Sequence, residues 1–282
     1  GEANSSRSSY AGTGMYRSAD GGKTWEHRGL EESHHIGRVV LHPNNPDVLW
    51  VAVLGHLYTP NPERGVFKST DGGKTWQHTL FVAENAGAVD LVIDPIDPNI
   101  LYAATWERER SAWNFTGAGE GSGIWKSTDG GNTWNRLGGG FPTGANIGRI
   151  GLAAGLKNGK TVLYASLDNQ NPKPAKEETS DALTKKQLRD ITAEQFAKLE
   201  NDKLADFLKN NGFPEKYSAK KIKDLVSKKT ITPQTLVEYL EDANTSLFET
   251  DFTGAEVYRS DDGGASWFKT HKEPLERINF TY

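Results

Sequence analysis

The sequence predicts an all-β fold built from repeated four-stranded antiparallel units, with one α-helical segment inserted into it. Three observations support this prediction: a turn motif that recurs four times, a proline-rich repeat between the turns, and one long segment of contrasting composition. The chain has 282 residues, of which 30 are glycine and eight are tryptophan. This mixture is typical of many short strands joined by tight turns, with large rings packed between sheets.

The turn motif has the pattern Ser-x-Asp-Gly-Gly-x-Thr/Ser-Trp, and its four copies begin at Ser18, Ser69, Ser127 and Ser260. Aspartate accepts hydrogen bonds from nearby backbone N–H groups, and glycine adopts positive φ without steric cost, so the pattern favours a hairpin turn. We therefore expect each copy to join two antiparallel strands. Its aspartate and tryptophan are assigned structural roles, at Asp20, Trp25, Asp71, Trp76, Asp129, Trp134, Asp262 and Trp267.

A second repeat lies between the turns. Residues 42–52 match residues 94–104, and both segments contain two prolines followed by Leu-Trp/Tyr-x-Ala. A glycine-led run precedes each copy, at 37–40 and 87–93. One unit is thus four strands long, and the first three turn aspartates are roughly 50 to 60 residues apart, the period of a β-propeller blade.

Residues 173–250 differ from the rest, because they contain one glycine and no tryptophan. Thr184-x-x-Gln187 and Thr192-x-x-Gln195 match the helix capping box, and Pro233 follows Thr232 as at a first helical position. We therefore expect a helical insertion at 173–250, in an inner loop between the second and third strands of a blade. The expected flanking domains are 1–172, with a partial first blade, two full blades and the start of a third, and 251–282, with the remainder of the interrupted blade.

Composition excludes several classes of function. The chain carries 33 Lys and Arg against 37 Asp and Glu, a net charge of −4, so no nucleic-acid partner is expected. No apolar run reaches the length of a membrane span. The chain has no cysteine, which excludes disulfides, thiolate ligands and cysteine nucleophiles. No cofactor is expected.

The turns resemble the Asp-box, or BNR, repeats of sialidases, xyloglucanases and sortilin-type receptors. The wider blade is most similar to bacterial VPS10/sortilin-type propeller proteins, in segments 37–40, 55–58, 87–95, 101–108, 168–170 and 211–217. Members of that group are exported proteins, commonly described as glycosyl hydrolases with BNR repeats, so the resemblance implies a secreted, periplasmic or cell-surface location. It also implies a larger propeller, of which this chain is expected to be a portion. The sialidase arginine triad and Tyr-Glu pair have no counterpart, which favours binding over catalysis.

One face of the blades is expected to carry the function. Strand alternation places the loops after each second strand, and the loops between blades, on the same face, and loops on a rigid scaffold commonly carry function. Arginine and aromatic side chains there would bind a peptide, a protein partner or a glycan through bidentate contacts and stacking. Aromatic wedges between blades would explain Tyr58, Trp106 and Trp113 equally well. The candidate ligand-binding residues are Arg38, His56, Tyr58, Arg64, Trp106, Arg108, Arg110, Trp113, Arg149 and Asn169.

The alternative function is glycoside hydrolysis, for which Glu107, Glu109 and Asp168 are the candidate catalytic carboxylates. A glycosidase needs two carboxyl groups that flank the bond, roughly 5–9.5 Å apart. Glu107 and Glu109 share one face of a strand, where ion pairs with cross-strand arginines explain them equally well. Catalysis is therefore the second hypothesis.

No metal site is expected. His34 and His35 are adjacent, and neighbouring side chains on an extended strand point to opposite sides, so one ion cannot readily take both. The turn aspartates are interpreted as structural rather than as calcium ligands, because four equivalent copies suit a scaffold better than a site.

Overall fold

The computed structural model describes residues 9–173, 182–240 and 252–272. They divide into two compact units. The first unit contains the described residues up to Lys173 and from Phe252 onward, and the second contains those in between. Each unit is described separately below.

The first unit begins with one short hairpin, which is followed by the first of its four-stranded sheets. Strands β1 (Tyr16–Arg17) and β2 (Glu26–His27) pair antiparallel on either side of the first turn motif. A short 3₁₀ helix, Glu31–Ser33, precedes the first sheet. The four strands of that sheet lie side by side in chain order, as β3 (Ile36–His42), β4 (Asn45–Val53), β5 (Gly65–Ser69) and β6 (Gln77–Leu80).

The second sheet repeats this order, with a small hairpin inserted between its second and third strands. Its first two strands are β7 (Ala86–Ile93) and β8 (Leu101–Glu107). The hairpin consists of β9 (Glu109–Arg110) and β10 (Phe115–Thr116). The sheet is completed by β11 (Gly123–Ser127) and β12 (Asn135–Arg136), and all its neighbours are antiparallel.

The third sheet contains β13 (Ile147–Lys157), β14 (Lys160–Pro172), β15 (Phe252–Ser260) and β16 (Phe268–Lys269), again in chain order. The three sheets confirm the predicted all-β fold of propeller blades. The segment that contains the helices is inserted between β14 and β15, the second and third strands of this blade.

Apolar cores lie between consecutive blades. Trp50 and Ala52 of β4 pack with Ala88, Leu91 and other residues of the second sheet. A second core joins the second and third sheets through Trp106, Ile124, Ile150 and Leu163. Because a blade is covered on both faces, residues 49–53 of β4 and 101–106 of β8 are continuous runs of buried residues rather than an alternation of buried and exposed ones.

All four turn motifs form the same hydrogen bonds, illustrated by the copy at Asp71. The Thr75 backbone N–H donates to Asp71 Oδ1 at 2.9 Å, and the Thr75 hydroxyl donates to Oδ2 at 2.7 Å. The Ser69 hydroxyl donates to Oδ1 at 2.8 Å and accepts from the Gly73 N–H. Gly73 has a φ of +85°, which a residue with a side chain rarely adopts. The equivalent bonds recur around Asp20, Asp129 and Asp262.

These bonds give a prediction for pH dependence. The Thr75 hydroxyl, the Thr75 N–H and the Ser69 hydroxyl lower the pKa of Asp71 from 3.8 to about 2. Since the folded pKa lies below the unfolded one, the carboxylate stabilises the fold above the unfolded value, and this stabilisation disappears as pH falls through about 2. Asp71→Asn is therefore expected to be less stable than the wild type at neutral pH, with a difference that shrinks in acid.

The measurement is urea unfolding of both proteins between neutral pH and pH 2, together with an NMR titration of the Asp71 carboxyl group. Thr75→Val, which removes the hydroxyl donor, should raise the pKa of Asp71 toward its ordinary value. A wild-type Asp71 that titrates near 3.8 would contradict the turn geometry.

The second unit contains five short helices. Thr184 and Thr192 each form a capping box with the glutamine three residues later, as predicted. The last helix begins at Pro233, also as predicted. The helices are α1 (Lys185–Asp190), α2 (Ala193–Ala197), α3 (Asn201–Asn210), α4 (Ala219–Ser227) and α5 (Pro233–Leu240).

The five helices pack on one another around their own apolar core. Its buried members include Leu188, Phe196, Phe207, Ile222 and Leu236. None of the helices that the structure describes is both long and apolar enough to cross a membrane. Residues 174–181 and 241–250 of the predicted insertion lie outside the described part of the chain.

Candidate functional site

Several of the predicted site residues lie on one edge of the first two blades. We call this edge, formed by residues 30–35, 54–64 and 108–122, the loop edge. Residues 54–64 connect β4 to β5, and 108–122 connect β8 to β11. Both connections follow a second strand, so they leave adjacent blades on the same side. Segment 30–35 contacts the first of these connections through a hydrogen bond from the Leu54 N–H to the His35 carbonyl oxygen at 2.8 Å.

Arg64 forms hydrogen bonds with both of these loops. Its Nη1 donates to the carbonyl oxygens of Asn85 at 2.8 Å and Arg108 at 3.3 Å. Its Nη2 donates to the carbonyl oxygens of His56 at 2.9 Å and Thr59 at 3.1 Å. The side chain is 1% exposed, and burial lowers the pKa of Arg64 to about 10. The interpretation of Arg64 as a ligand-binding group on the surface is therefore corrected: its guanidinium is buried and bonds to loop carbonyls.

Arg108 is also interior, contrary to the sequence interpretation. It is 1% exposed, and its Nη2 donates to the carbonyl oxygens of Leu54 and His56, both at 3.4 Å. Its Nε and Nη1 atoms are buried without a hydrogen-bond partner among the described residues. Burial, followed by the charges of Arg64, Arg110 and Arg149, lowers the pKa of Arg108 to about 9. The group stays charged at neutral pH.

Trp106 is a core residue rather than a surface platform. Its side chain is fully buried, and its Nε1 donates to the Gly117 carbonyl oxygen at 2.8 Å. The guanidinium carbons of Arg108 and Arg149 lie 5.8 and 5.5 Å from its ring centroid. Of the two explanations that the sequence left open for Trp106, the wedge between blades is the one that the structure supports.

Three further candidates are engaged within the fold. Arg110 is buried, with its guanidinium carbon 4.1 Å from the Phe115 ring centroid. Asn169 is buried and donates to Glu256 Oε2 at 2.7 Å, so its expected exposure to a ligand is also corrected. Arg149 is half-buried against Trp106.

Arg38 connects the first strands of neighbouring blades. It is exposed on β3, and its Nε donates to Asp90 Oδ1 on β7 at 2.9 Å. Asp90 Oδ2 accepts from the Leu152 N–H on β13 at 2.8 Å. The Asp90 carboxylate thus links all three blades, and Arg38 is its cationic partner.

Two aromatic candidates remain exposed. Trp113 is 85% exposed, in the turn of the β9–β10 hairpin, which the Ser111 N–H closes by donating to the Asn114 carbonyl oxygen at 2.8 Å. Tyr58 is 51% exposed on the loop that Arg64 anchors. The two rings are therefore carried by adjacent loops that buried side chains hold together.

Two of the three candidate carboxylates accept hydrogen bonds within the fold, and the third is exposed. Glu107 Oε2 accepts from the Gly121 N–H at 2.7 Å, and its Oε1 accepts from Asn85 Nδ2 at 3.2 Å. Asp168 is buried, and its Oδ2 accepts from Gln170 Nε2 at 2.8 Å. Glu109 is exposed on β9. Glu107 thus supports the loop beside it.

The structure also brings together a histidine cluster that the sequence analysis missed. The His34 ring stacks against His56, with ring centroids 3.8 Å apart and planes inclined by 20°, and meets the His35 ring edge-on at 6.5 Å. His34 has a φ of +47°, so the chain is not extended there. His35 is buried, whereas His34 faces outward toward Glu32, whose Oε2 lies 3.6 Å from His34 Nε2. Burial, followed by the neighbouring His56, lowers the pKa of His34.

Comparisons with known proteins add a family and several relatives. The family model described as Sortilin, neurotensin receptor 3 (Sortilin-Vps10) matches residues 13–230. Xyloglucanase Xgh74A of Acetivibrio thermocellus is 30% identical over 140 residues, which are 44% of this chain and 15% of that protein. A xyloglucanase of Hypocrea jecorina is 30% identical over 120 residues, which are 40% of this chain and 13% of that protein. The matched regions are thus a small part of these relatives.

Solved structures give a looser similarity. The GH74 xyloglucanase from Xanthomonas campestris aligns with a TM-score of 0.44 and 13% sequence identity, over 91% of this chain and 27% of that chain. An ancestral GH74 enzyme aligns with a TM-score of 0.40 and 15% identity, over 93% and 29% of the two chains.

Proposed function

The chain belongs to the Sortilin-Vps10 family, and from that premise we propose that it is a β-propeller binding module that recognises a glycan at the loop edge. In this proposal Trp113 and Tyr58 contact the glycan, and the protein is exported from the cell. A peptide or protein partner is the other class of ligand that such an edge would suit.

The observation that carries this proposal is the exposure of Trp113. An indole ring that stays in water on a short, hydrogen-bonded hairpin contributes little to the core, and tryptophan and tyrosine are enriched among residues that dominate binding energy. Each presents a flat apolar face at a low cost in conformational entropy, which suits stacking against the C–H face of a sugar ring.

The rigidity of the loop edge supports the same function. Arg64 bonds to carbonyl oxygens of both loops, and Arg108 bonds back to the loop that carries Tyr58. Because these contacts fix both loops before a ligand arrives, little ordering entropy is lost on binding. The named activity of the xyloglucanase relatives favours a plant-type glucan over a peptide as the first ligand to test.

Glycoside hydrolysis remains the second candidate, favoured by those same relatives. It requires two carboxyl groups that face each other across the scissile bond. Glu107 accepts hydrogen bonds from Gly121 and Asn85, a role that supports the loop and leaves fewer of its lone pairs for a substrate. The contacts on the loop edge therefore support binding better than chemistry.

The test of the proposal is Trp113→Ala. We expect its affinity for xyloglucan oligosaccharides to fall by about tenfold or more, the loss of roughly 1.4 kcal/mol that removal of a stacking residue commonly causes. Isothermal titration calorimetry would measure it. Trp25→Ala is the matched control, because Trp25 is also exposed, at 63%, but is the last residue of the first turn motif and does not lie on the loop edge.

Parallel assays separate binding from catalysis. Release of reducing sugar would be measured for the wild type and for Glu107→Gln, Glu109→Gln and Asp168→Asn. Turnover by the wild type that one of these substitutions abolishes would replace the binding proposal with the enzymatic one. Equal affinity of the wild type and Trp113→Ala for every glycan and acidic peptide tested would remove Trp113 from the site.

A further inference from the structure

Glu32, His34 and His56 bring three metal-binding groups together at one corner of the loop edge. Glu32 Oε2 lies 3.2 Å from His56 Nε2 and 3.6 Å from His34 Nε2. One donor atom from each of the three residues lies within 4.8 Å of the other two. Among the residues that the structure describes, no other group of three such side chains is this close.

The separations match those of a coordination shell. Zinc binds imidazole nitrogen and carboxylate oxygen at about 2.0–2.2 Å, and tetrahedral angles then place neighbouring donor atoms about 3.3 Å apart. The two Nε2–Oε2 distances lie close to that value. The separations between these donor atoms therefore suit one shared ion, once the His34 ring turns toward it.

We propose that Glu32, His34 and His56 bind one divalent transition-metal ion of the zinc type. Two imidazoles and one carboxylate supply three ligands, and the exposed side of Glu32 leaves the fourth position to water. The bound ion would join segment 30–35, which enters the first blade, to loop 54–64, which leaves its second strand. This site is independent of the proposed glycan binding.

His56 is held in the orientation that the site requires. Its Nδ1 lies 3.1 Å from the Thr59 hydroxyl oxygen, and its Nε2 lies 3.2 Å from Glu32 Oε2. Without a metal, Nε2–H donates to the Glu32 carboxylate, whereas the tautomer in which Nδ1–H donates to Thr59 leaves the Nε2 lone pair available to an ion. Metal-binding histidines commonly have such a partner on the second ring nitrogen, which fixes the tautomer and the ring. The backbone of His56 is anchored as well, because its N–H donates to Asn61 Oδ1 at 3.0 Å and its carbonyl oxygen accepts from Arg64 Nη2 at 2.9 Å.

His34 is placed by a backbone conformation that only a constrained segment adopts. Its φ of +47° and ψ of −55° directly follow the 3₁₀ helix Glu31–Ser33. Residues with side chains rarely adopt such angles, and strained positions of this kind concentrate at binding sites. Nearly parallel rings cannot aim both lone pairs at one ion, so metal binding requires the His34 ring to turn about its side-chain bonds. Its side chain is 30% exposed, which leaves it accessible for that movement.

The ligand chemistry also predicts selectivity. Imidazole nitrogen suits zinc, copper, nickel and iron, whereas calcium and magnesium prefer shells of oxygen. Simple ion pairing between Glu32 and a protonated histidine would show no such preference. Selectivity for zinc over calcium thus distinguishes a coordination site from an ion pair.

The experiment is isothermal titration calorimetry of the protein, after dialysis against a chelator, with zinc chloride, calcium chloride and magnesium chloride in turn. We expect one zinc ion per chain and no saturable binding of calcium or magnesium at the same concentrations. His34→Ala, His56→Ala and Glu32→Gln should each weaken zinc binding by at least about tenfold. Cobalt(II) in place of zinc should give the intense visible absorption of a tetrahedral site, and His34→Ala should abolish it.

A matched control is available next to the site. His27 Nδ1 lies 3.5 Å from Glu31 Oε1, an exposed histidine–glutamate pair that lacks a second imidazole. His27→Ala and Glu31→Gln should leave zinc binding unchanged. Circular dichroism of each variant verifies folding, and Glu32→Gln, which alters an exposed side chain, tests the site with the smallest disturbance of the fold.

Two results would overturn the proposal. The first is a wild type that binds zinc no more tightly than the combined variant with Glu32→Gln, His34→Ala and His56→Ala. The second is zinc binding that persists unchanged in both His34→Ala and Glu32→Gln, since the ion would then reside elsewhere on the chain.

Discussion

Arg64→Ala is expected to lower the free energy of unfolding of the first unit by about 3–5 kcal/mol, because several backbone carbonyl oxygens lose a donor and each unsatisfied buried polar group costs about 1–3 kcal/mol. The guanidinium of Arg64 donates to the carbonyl oxygens of His56, Thr59, Asn85 and Arg108. Alanine leaves these oxygens without their donor and opens a cavity where the side chain was. Because the four oxygens belong to three separate segments, loss of their hydrogen bonds to Arg64 should also make the loop edge more mobile.

Urea unfolding followed by tryptophan fluorescence measures this effect. All eight tryptophans lie outside residues 173–250, so the signal reports on the unit that contains the blades. Arg64→Lys should lose less stability than Arg64→Ala, since lysine keeps the charge. It should still be less stable than the wild type, because lysine lacks the planar fork that reaches several carbonyls at once.

Arg17→Ala provides the matched control for Arg64→Ala. Arg17 pairs with Asp47 at 2.9 Å, but both side chains are exposed, at 38% and 54%, and such surface pairs contribute roughly 0–1 kcal/mol. If Arg64→Ala were as stable as Arg17→Ala yet lost affinity for a ligand, the original interpretation of Arg64 as a binding residue would be restored.

The sequence predicted the fold class well because its signals are local. The hydrogen bonds of each turn motif lie within a span of seven residues, so the residues that direct the turn are visible together in the sequence. The same holds for the capping boxes at Thr184 and Thr192, in which threonine and glutamine stand three positions apart. Four repeats of one turn then predict repeated blades, because each blade needs the same hairpin in the same place.

The candidate site was predicted less well, because its contacts join distant parts of the chain. Arg64 bonds to carbonyl oxygens 21 and 44 residues away, which no pattern of neighbouring residues reveals. Arginines near loops were interpreted as surface groups, yet blades covered on both faces bury side chains on both sides of a strand. The histidine cluster was missed because His56 is 22 residues from His34 in the sequence, and only the fold brings the two rings together.

Trp106→Ala is the second substitution expected to have a large effect, and it separates a core residue on β8 from a surface platform on the loop that follows. Truncation of a buried tryptophan commonly costs about 3–5 kcal/mol, through lost apolar burial and the cavity that remains. Here the Gly117 carbonyl oxygen also loses its Nε1–H donor, and Arg108 and Arg149 lose the ring face beside their guanidinium groups. Unfolding in urea should therefore occur at a much lower concentration than in the wild type.

Trp113→Ala is the control that makes this result interpretable, because the two tryptophans are seven positions apart on connected elements but differ in burial, at 0% and 85% exposed. Loss of the exposed ring should change the free energy of unfolding by no more than about 0.5 kcal/mol. The free energy of unfolding of Trp106→Phe should lie between those of Trp106→Ala and Trp113→Ala, since phenylalanine fills much of the volume but cannot donate to the Gly117 carbonyl oxygen. Equal stability of Trp106→Ala and Trp113→Ala would contradict the packing of Trp106 between the blades. Trp106 would then again be a candidate for ligand binding, as the sequence analysis predicted.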